Sequence, residues 1–490
     1  MDGRLFENNS FTSDGGFYDK KTVVDSIGRK WTVMYYGSIK PLKKVVSMLA
    51  FRPGWGITGN ASFSEGLIYN KYSAAGSYNG TQAIVPNNLR LTEIRWEKTK
   101  SWNIGVDLGL FQDLVTFNLN VYKKNTTDLL NSGVSIPSST GFSYLDWANV
   151  GAMENQGWEL YINTRDIFKV GKFATQLRFN IAQNINTVTE MDASVLASKN
   201  DDYNYANISS AGQLMKRVQI GHALGGIYGF RYKGVYQYNY NTNWSITDWE
   251  TAEKRLPEGK KLHDLYPVAC DDQGNTLYGS DRKPLRMVYN YKDGKVGYPF
   301  RGGDAIYEDI NKDGNINELD IVYLGNSNPK LQGGFGVKFQ YKRLTLNTQF
   351  TYRYGVDVVN SARMNVENMY TNNNQSIAVN WRWRKEGDVT MMPRALYNTG
   401  YNWLGSDRYL EDASYLRMSY LQLSYSVDPS ILKKYGLNQL SLSGSANNLF
   451  FLSKYTGLDP EIGADGWGRA FDGSKTPRSR SFTLSLTVGF

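Results

Sequence analysis

The last stretch of the chain, Ser481–Phe490 (SFTLSLTVGF), decides the fold class. Every second residue from Phe482 onwards is apolar, and each residue between is Ser, Thr or Gly. Successive side chains of a β-strand point to opposite faces, so this stretch predicts a strand with one apolar and one polar face. An alternating strand that ends on an aromatic residue is typical of outer-membrane barrels, whose assembly machinery recognises it. The stretch therefore predicts an all-β fold, a transmembrane antiparallel β-barrel.

The same alternation recurs along the chain. Residues 102–110 alternate Trp, Ile, Val and Leu with Asn, Gly and Asp, and residues 331–341 and 344–354 keep the same period. Alternation alone also describes a half-buried strand of a soluble sandwich. The strand lengths favour a membrane, because a tilted membrane strand needs about 9–11 residues, whereas soluble strands cluster near about 5–6 residues.

Composition supports a barrel and excludes other classes of protein. The mean hydropathy is −0.48, and the sequence has no apolar run of about 18 residues, which excludes a helical membrane protein. Tyr, Phe and Trp make up 14% of the chain, which suits the aromatic girdles of a barrel. The formal charge is +9, but Lys and Arg are scattered along the chain, so we predict no nucleic acid as a partner. The predicted partner of the barrel is outer-membrane lipid.

No catalytic motif is evident. His222, His263 and Cys270 lack the spacing of a metal site or a disulfide framework. No nucleotide-binding or nucleophile-elbow pattern occurs in a fitting context. Pairing any two carboxylates as acid and base would be arbitrary without a cleft. The sequence therefore predicts no enzyme and no catalytic residue.

Alternation and turns together predict about eleven spanning strands. They lie at residues 30–40, 45–58, 101–111, 114–123, 155–165, 172–185, 331–341, 344–355, 414–427, 438–450 and 480–490. Short turns at 111–114, 166–172 and 342–344 alternate with long loops at 59–100, 124–154, 186–330, 356–413 and 451–479. Outer-membrane barrels have short periplasmic turns and long extracellular loops, so the last strand is expected to run towards the periplasm.

An odd strand count does not suit a complete barrel, because single-chain bacterial barrels have an even number of strands. The residues after Met1 (DGRLFENNSF) also lack the basic and apolar regions of a signal peptide. We interpret residues 1–29 as part of an extracellular loop or the start of a fragment. We interpret residues 30–490 as the C-terminal half of a barrel, which would not close by itself because two sheet edges stay unpaired.

Eight stretches in chain order resemble landmarks of the SusC/RagA family of TonB-dependent outer-membrane transporters from Bacteroidota. They are GWGITGN at 54–60, WEKTKSWNIGVDLGL at 96–110, NVGAMENQGWEL at 149–160, LGGIYGFRYKGVYQ at 224–237, DINKDGNINELDIVYLGNSNPK at 309–330, YLRMSYLQLSYSV at 415–427, SANNLFFLSKYTGLDPE at 445–461 and the terminal strand. Each is a weak motif alone, but together and in order they cover roughly residue 30 to the end.

The resemblance implies a fold and a function. Family members resemble 22-stranded barrels plugged by an N-terminal domain, of which about eleven strands would be the C-terminal half. The signal peptide, plug and TonB-binding segment of the family have no counterpart in this sequence. The resemblance implies TonB-energised uptake of oligosaccharides or peptides across the cell outer membrane, with a SusD-like surface lipoprotein and with the TonB complex reached through the missing N-terminal part. A passive porin or surface adhesin and a soluble lectin-like β-protein are the alternatives.

Polar residues of the strands are expected to line a wet lumen. They are Asn118, Asn120, Gln176, Arg178, Asn180, Asn347, Gln349 and Arg353. Substrate-binding residues stay unassigned. Loop residues that suit stacking on a sugar ring or a peptide are Trp381, Trp383, Trp403 and Trp467, with Arg382 and Arg384 beside them. The alternative is that these aromatic residues pack the loops together or lie at the membrane interface.

One stretch of the longest loop, residues 309–320, has the spacing of a calcium-binding loop. Side-chain oxygens occupy positions 1, 3 and 5, a glycine at position 6 allows the sharp turn, a backbone carbonyl is offered at position 7, and an acid stands at position 12. The predicted ligands of a structural calcium ion are Asp309, Asn311, Asp313, Asn315 and Asp320. The alternative is a metal-free turn in which Asp and Asn side chains cap their own backbone.

Overall fold

A computed structural model of the chain describes both regular strands and large folded loops. The described residues are 16–24 and 30–38, by their backbone only, and 45–61, 65–167, 170–193, 195–196, 214, 217–290, 297–464 and 468–490. Ten long strands form one antiparallel sheet. They are β1 (Val46–Asn60), β2 (Glu97–Leu110), β3 (Val115–Thr127), β4 (Gly151–Thr164), β5 (Phe173–Met191), β6 (Leu331–Tyr341), β7 (Leu344–Tyr354), β8 (Tyr415–Ser426), β9 (Gln439–Ser453) and β10 (Ser481–Gly489).

Neighbours in this sheet are also neighbours in the sequence, from β1 at one edge to β10 at the other. The predicted hairpin between β6 and β7 is confirmed, with Tyr341 opposite Leu344 and Leu331 opposite Tyr354. Among the described residues, β1 and β10 each pair with one strand of the sheet, so the sheet is open at both edges.

The short turns and the long connections lie at opposite ends of the strands. The pairs Leu110 with Val115 and Tyr341 with Leu344 adjoin short turns at one end. Phe173 lies opposite Tyr341, so β5 starts at that same end and the long connection after β5 leaves from the other. The predicted separation of turns and loops is therefore confirmed. The turn after β2 is tight, with left-handed backbone (φ 53–59°) from Phe111 to Asp113.

One predicted strand occupies a different place. Residues 30–40 were expected to span the membrane beside 45–58, but the strand that forms, Lys30–Ser38, pairs along its whole length with Gly16–Val24. These two strands make a separate two-stranded sheet. A partner only a short connection away is the less costly one to reach, because loop-closure entropy grows with loop length. Residues 1–15 and 25–29 lie outside the described part, so the assignment of 1–29 to an extracellular loop stays a prediction.

The two faces of the sheet differ as the alternation predicts. On β10, Phe482, Leu484 and Leu486 are 66–78% exposed, although they are the most apolar residues of the strand. Leu49, Phe51 and Trp55 of β1 are exposed in the same way. An exposed apolar face along a whole sheet is the surface that lipid covers. The opposite face carries polar side chains.

The hydrophobic core of the protein lies in its loops. Its largest cluster of buried side chains includes Tyr228, Phe230, Phe300, Ile316 and Leu404. The loops also contain short paired strands. They are Tyr72–Tyr78 with Thr81–Pro86, Leu130–Ser135 with Tyr144–Asn149, Gly226–Gly229 with Val322–Asn326, Tyr232–Val235 with Ala305–Tyr307, Val288–Tyr289 with Tyr298–Pro299 and Asn315–Ile316, and Asp357–Val359 with Leu410–Asp412. We call the packed residues 217–290, 297–330 and 355–414 the loop body.

The helices are short and lie outside the sheet. α1 (Ile246–Lys254) begins with a capping box between Ser245 and Asp248 and buries Trp249. The others are α2 (Leu262–Leu265), α3 (Ser361–Glu367) and α4 (Pro429–Leu432), with 3₁₀ turns at Glu65–Ile68, Ser138–Thr140, Glu318–Asp320, Ile377–Trp381, Asp407–Tyr409 and Lys433–Tyr435. Among the described helices, none is long and apolar enough to cross a membrane.

The two faces of the sheet make a direct prediction. Leu442 of β9 is 48% exposed on the apolar face, and its neighbour Ser443 points to the polar face. We expect Leu442→Arg to destabilise the protein by about 1 kcal/mol or more, because a charge on the lipid-covered face costs about 0–1 kcal/mol near an interface and about 2–4 kcal/mol at the bilayer midplane. Ser443→Arg is the matched control and should have a much smaller effect. Urea unfolding of the protein in lipid bilayers measures both, and equal losses would contradict the assignment of faces.

Candidate functional site

The polar face of the sheet forms a wide, open cavity of about 610 Å³. Strand alternation brings its lining together, because every second residue of adjacent strands faces the same side. The polar lining residues are Asn118, Asn120, Glu159, Tyr161, Asn180, Gln332, Thr351, Arg353, Tyr415, Arg417, Ser419, Asn448, Glu461 and Arg478. Four residues predicted to face the lumen are among them, namely Asn118, Asn120, Asn180 and Arg353.

One wall of the cavity is held by a buried ionic network. The Arg417 side chain, which is 4% exposed, forms a salt bridge with Asp459 and lies 3.5 Å from Glu461. Arg478 donates to Glu461 at 2.6 Å. Removing one partner of a buried ion pair is costly because it leaves the other charge unpaired. The network therefore fixes Asp459, Glu461 and Arg478 against β8. Sequence reasoning missed it because its members are far apart in the chain.

A second network crosses the first three strands on the same face. Arg52 donates two hydrogen bonds to Asp107, at 2.6 and 2.9 Å, and a third to Asn120 at 3.3 Å. Gly105 lies beneath this arginine, and a Cβ there would come within 2.9 Å of the guanidinium carbon. The absence of a side chain at Gly105 leaves room for the arginine in this position. Charges of both signs are paired along the lumen face.

The loop tryptophans that were predicted as candidates for stacking on a ligand differ in their burial. Trp403 is buried in the loop body, and Trp383 donates to the backbone carbonyl of Gln237 at 3.2 Å, so both pack loops together. Trp381 is 66% exposed. Arg382 and Arg384 donate to backbone carbonyls close to them in the chain. Trp467 lies outside the described residues.

The exposed Trp381 belongs to a larger apolar surface. Its backbone carbonyl accepts a hydrogen bond from Thr390 Oγ1 at 2.6 Å, which places the 389–391 segment beside it. Ile377 lies one turn earlier in the same 3₁₀ segment. Ile377, Trp381, Val389 and Met391 are 62–83% exposed, and we call these four residues the apolar loop patch. Exposed apolar side chains are a candidate interaction site where they together form a large patch.

The predicted calcium loop is folded by its own side chains. Asp309 Oδ2 accepts from the Gly314 amide at 2.9 Å, and Asp313 Oδ1 accepts from the Asn315 amide at 2.7 Å. The carboxylate of Asp320 accepts from the Ile310 and Asn317 amides, both at 2.8 Å. Side-chain caps of this kind are what the metal-free alternative describes.

The negative charge of the buried carboxylates in this loop is poorly compensated. Burial raises the pKa of Asp320 to about 6 and also raises the pKa of Asp309 above its usual value. Asp309 Oδ1 is buried without a hydrogen-bond partner. In the part of the chain that the structure describes, no three His, Cys, Asp or Glu side chains are gathered closely enough to hold a metal ion. The calcium ion therefore stays a prediction.

Comparisons with known proteins agree with this architecture. Residues 48–256 match the family described as TonB dependent receptor-like, beta-barrel. TonB-dependent receptor P39 of Formosa agariphila is 29% identical over 462 residues, which are 91% of this chain and 40% of that protein. TonB-dependent receptor SusC of Bacteroides thetaiotaomicron is 26% identical over 481 residues, which are 95% of this chain and 40% of that protein.

Solved structures share the fold. The structure of the RagAB peptide importer in the closed-closed state matches with a TM-score of 0.63 at 18% identity, and covers 97% of this chain and 45% of that one. The structure of the RagAB peptide transporter matches with a TM-score of 0.61 at 20% identity, and covers 91% of this chain and 41% of that one.

The chain spans about 40% of the length of the curated relatives it matches. These relatives are receptors by name, which confirms the prediction that the chain is not an enzyme. An open antiparallel sheet with an apolar outer face, a polar inner face and long loops at one end is the structural counterpart of the matched family. Residues 48–256 therefore carry the β-barrel of the TonB-dependent receptors, and over more than nine tenths of its length the chain is similar to outer-membrane receptors of this kind, SusC among them.

Proposed function

We propose that the chain supplies part of the wall and the extracellular loops of a TonB-energised importer of oligosaccharides or peptides. The observation that carries the proposal is the loop body, a folded unit at one end of a polar lumen wall. Arg394 of one long loop makes a bidentate salt bridge, 2.7 Å at its closest, with the fully buried Asp304 of another. Tyr289 and Tyr401 stack with ring centroids 3.8 Å apart.

A folded loop body suits capture of a ligand at the cell surface. Loops without such a core would suffice for a passive pore, since nothing has to be held over the opening. The buried ion pair and the stacked rings instead keep distant loop segments in one arrangement. Preorganised loops lose less conformational entropy on binding, which favours recognition of a partner or a ligand. The similarity to TonB-dependent receptors and the RagAB likeness in fold support the same function.

The lumen wall suits polar cargo of low net charge. Arg52 with Asp107, and Arg417 with Asp459 and Glu461, place opposite charges side by side. Paired charges and amides offer hydrogen bonds without a strong potential of one sign, unlike the single-sign rings that select ions. Oligosaccharides and peptides both match this wall. RagAB is a peptide importer, but at 18% identity this favours neither class of cargo for this chain.

The proposed surface partner is a SusD-like lipoprotein, and the apolar loop patch is the surface that it would cover. The patch presents Trp381, a residue type enriched among the energetically important residues of interfaces. Arg382 and Arg384 donate to the Val379 and Asn380 carbonyls of the same 3₁₀ segment and supply charged groups beside it, as is usual at the edge of an interface. The TonB complex would act through a segment beyond the residues described here.

The proposed import depends on energy. In cells that produce the whole protein, uptake of labelled oligosaccharide and peptide pools should fall to background when TonB is removed, since a plugged barrel opens only with the energy relayed to it. Cells lacking the protein give the background value. Uptake of a cargo that needs the protein but persists without TonB would favour a passive porin. Surface binding without any uptake would favour an adhesin.

We expect the proposed lipoprotein partner to bind through the apolar loop patch. We expect Trp381→Ala combined with Val389→Ser to weaken co-purification of the lipoprotein about tenfold or more, because central aromatic residues dominate interface energies. Tyr435→Ala is the control, since Tyr435 is 75% exposed but lies at the end of the sheet with the short turns. Mass spectrometry identifies the partner. Equal recovery with both variants would show that the patch is not the contact surface.

A further inference from the structure

We propose that the loop at residues 309–320 binds a calcium ion, with Asp309 as its buried ligand. This site is separate from the lumen wall and from the apolar loop patch, so the proposal does not depend on the import function. It concerns the stability of the loop body. The spacing of oxygen-bearing residues suggests such a site, and the folded geometry supplies an independent observation.

That observation is the orphaned carboxylate oxygen of Asp309. The residue is 6% exposed, and its Oδ2 is held at 2.9 Å by the amide of Gly314. This contact turns the carboxylate into the loop. Its Oδ1 is buried and has no hydrogen-bond partner. Buried polar atoms are nearly always satisfied, and an unsatisfied one points to an unrecorded water or ion. A hard cation is the ligand that a carboxylate oxygen takes there.

The surrounding backbone has the shape that such a loop needs. Gly314, at the sixth position, has a left-handed φ of 82°, which allows the sharp turn that brings the flanking oxygens to one side. A side chain at this position would also meet Leu285 at 3.0 Å and Ala269 at 3.3 Å. Asn315 follows at the seventh position, where a calcium loop offers its backbone carbonyl.

Two of the acids, Asp309 and Asp320, are buried, and the third, Asp313, is exposed. Asp320 is fully buried, and its two oxygens each accept one amide at 2.8 Å. An ionised carboxylate has about four lone-pair sites, so these hydrogen bonds leave room for a cation. Asp313 is exposed, and its Oδ2 accepts a hydrogen bond from the side-chain Nδ2 of Asn311 at 3.0 Å. Because the acids are not yet gathered at one point, calcium binding should draw Asp313 and Asn311 inwards.

The ion would stabilise the core of the loop body. Ile316, inside the loop, is 1% exposed and belongs to the main buried cluster with Phe300 and Ala269. Asn315–Ile316 pairs in parallel with Val288–Tyr289. Holding the loop therefore holds two distant segments of the chain together. The affinity should be modest, on the order of 10⁻⁴–10⁻³ M as in extracellular calcium modules, because the twelfth position carries Asp and not the bidentate Glu.

Calorimetry and limited proteolysis of the detergent-purified protein test the site. After removal of bound metal, calcium chloride titrated to about 10 mM should reveal a site of the stated affinity and slow cleavage within residues 285–330. Asp309→Asn and Asp313→Asn should abolish both effects. Asp313 is exposed, so its variant should fold normally even if the buried one does not. A heat-modifiable band in electrophoresis verifies that each variant forms its barrel.

The matched control is Asp388→Asn. Asp388 also accepts two backbone amides of its own loop, from Arg384 at 2.9 Å and Lys385 at 3.0 Å. Its variant should keep the binding and the protection. The proposal would be overturned if the unaltered protein gave no heat of calcium binding in calorimetry and if calcium did not slow its proteolysis. Calcium binding that survives in the folded Asp313→Asn variant would also overturn it, because the ion would then lie elsewhere on the protein or on bound lipid.

Discussion

The need to pair every backbone N–H and C=O group inside lipid governs this structure. Water is absent from the hydrocarbon layer, so an unpaired group costs several kcal/mol and strands must be paired along their whole length. The uninterrupted register between β6 and β7, and the sequential order of all ten strands, meet this need. Because the backbone supplies the cohesion, the strands require only alternation of side chains, and the specific chemistry is left to the lumen face and the loops.

Strand positions were predictable because this constraint leaves a periodic trace in the sequence. All the strands of the large sheet lie where alternation places them, but their ends differ. β2 begins at Glu97, where 101 was expected, and β5 continues to Met191, where 185 was expected. Both extensions lie at the loop end. Beyond the membrane a strand has water or protein on both faces, so pairing continues although the apolar alternation has stopped. At Lys30–Ser38 alternation predicted that a strand forms, but it could not predict which strand it pairs with.

The polar character of the lumen face was predictable, because alternation along β3 and β5 places Asn118 and Asn180 on the same face of the sheet. The contacts that shape it were not. Arg417 and Asp459 are 42 positions apart, and Arg394 and Asp304 are 90 apart, so no local pattern links them. A local signal did exist for α1, whose Ser245 and Asp248 form a capping box within a stretch expected to be loop. Calcium spacing was equally visible, but only the fold shows that Asp309 holds a buried, unpaired oxygen.

The long insertion between β5 and β6 has a consequence for how the chain folds. These strands are adjacent in the sheet although residues 192–330 separate them. Residues 224–229 of the insertion are tied to its C-terminal end by the pairing of Gly226–Gly229 with Val322–Asn326 and by the hydrogen bond of the Asn328 side chain to the Leu224 carbonyl at 2.8 Å. Leu224 in turn donates to Asn186 Oδ1 of β5 at 3.0 Å, so both strands are anchored to the same folded segment. If the insertion folds first, the strands register across a short effective loop and the entropic barrier to their pairing falls. Assembly should then be fastest when the insertion folds before the sheet is completed, and a slow-folding insertion would delay the whole sheet.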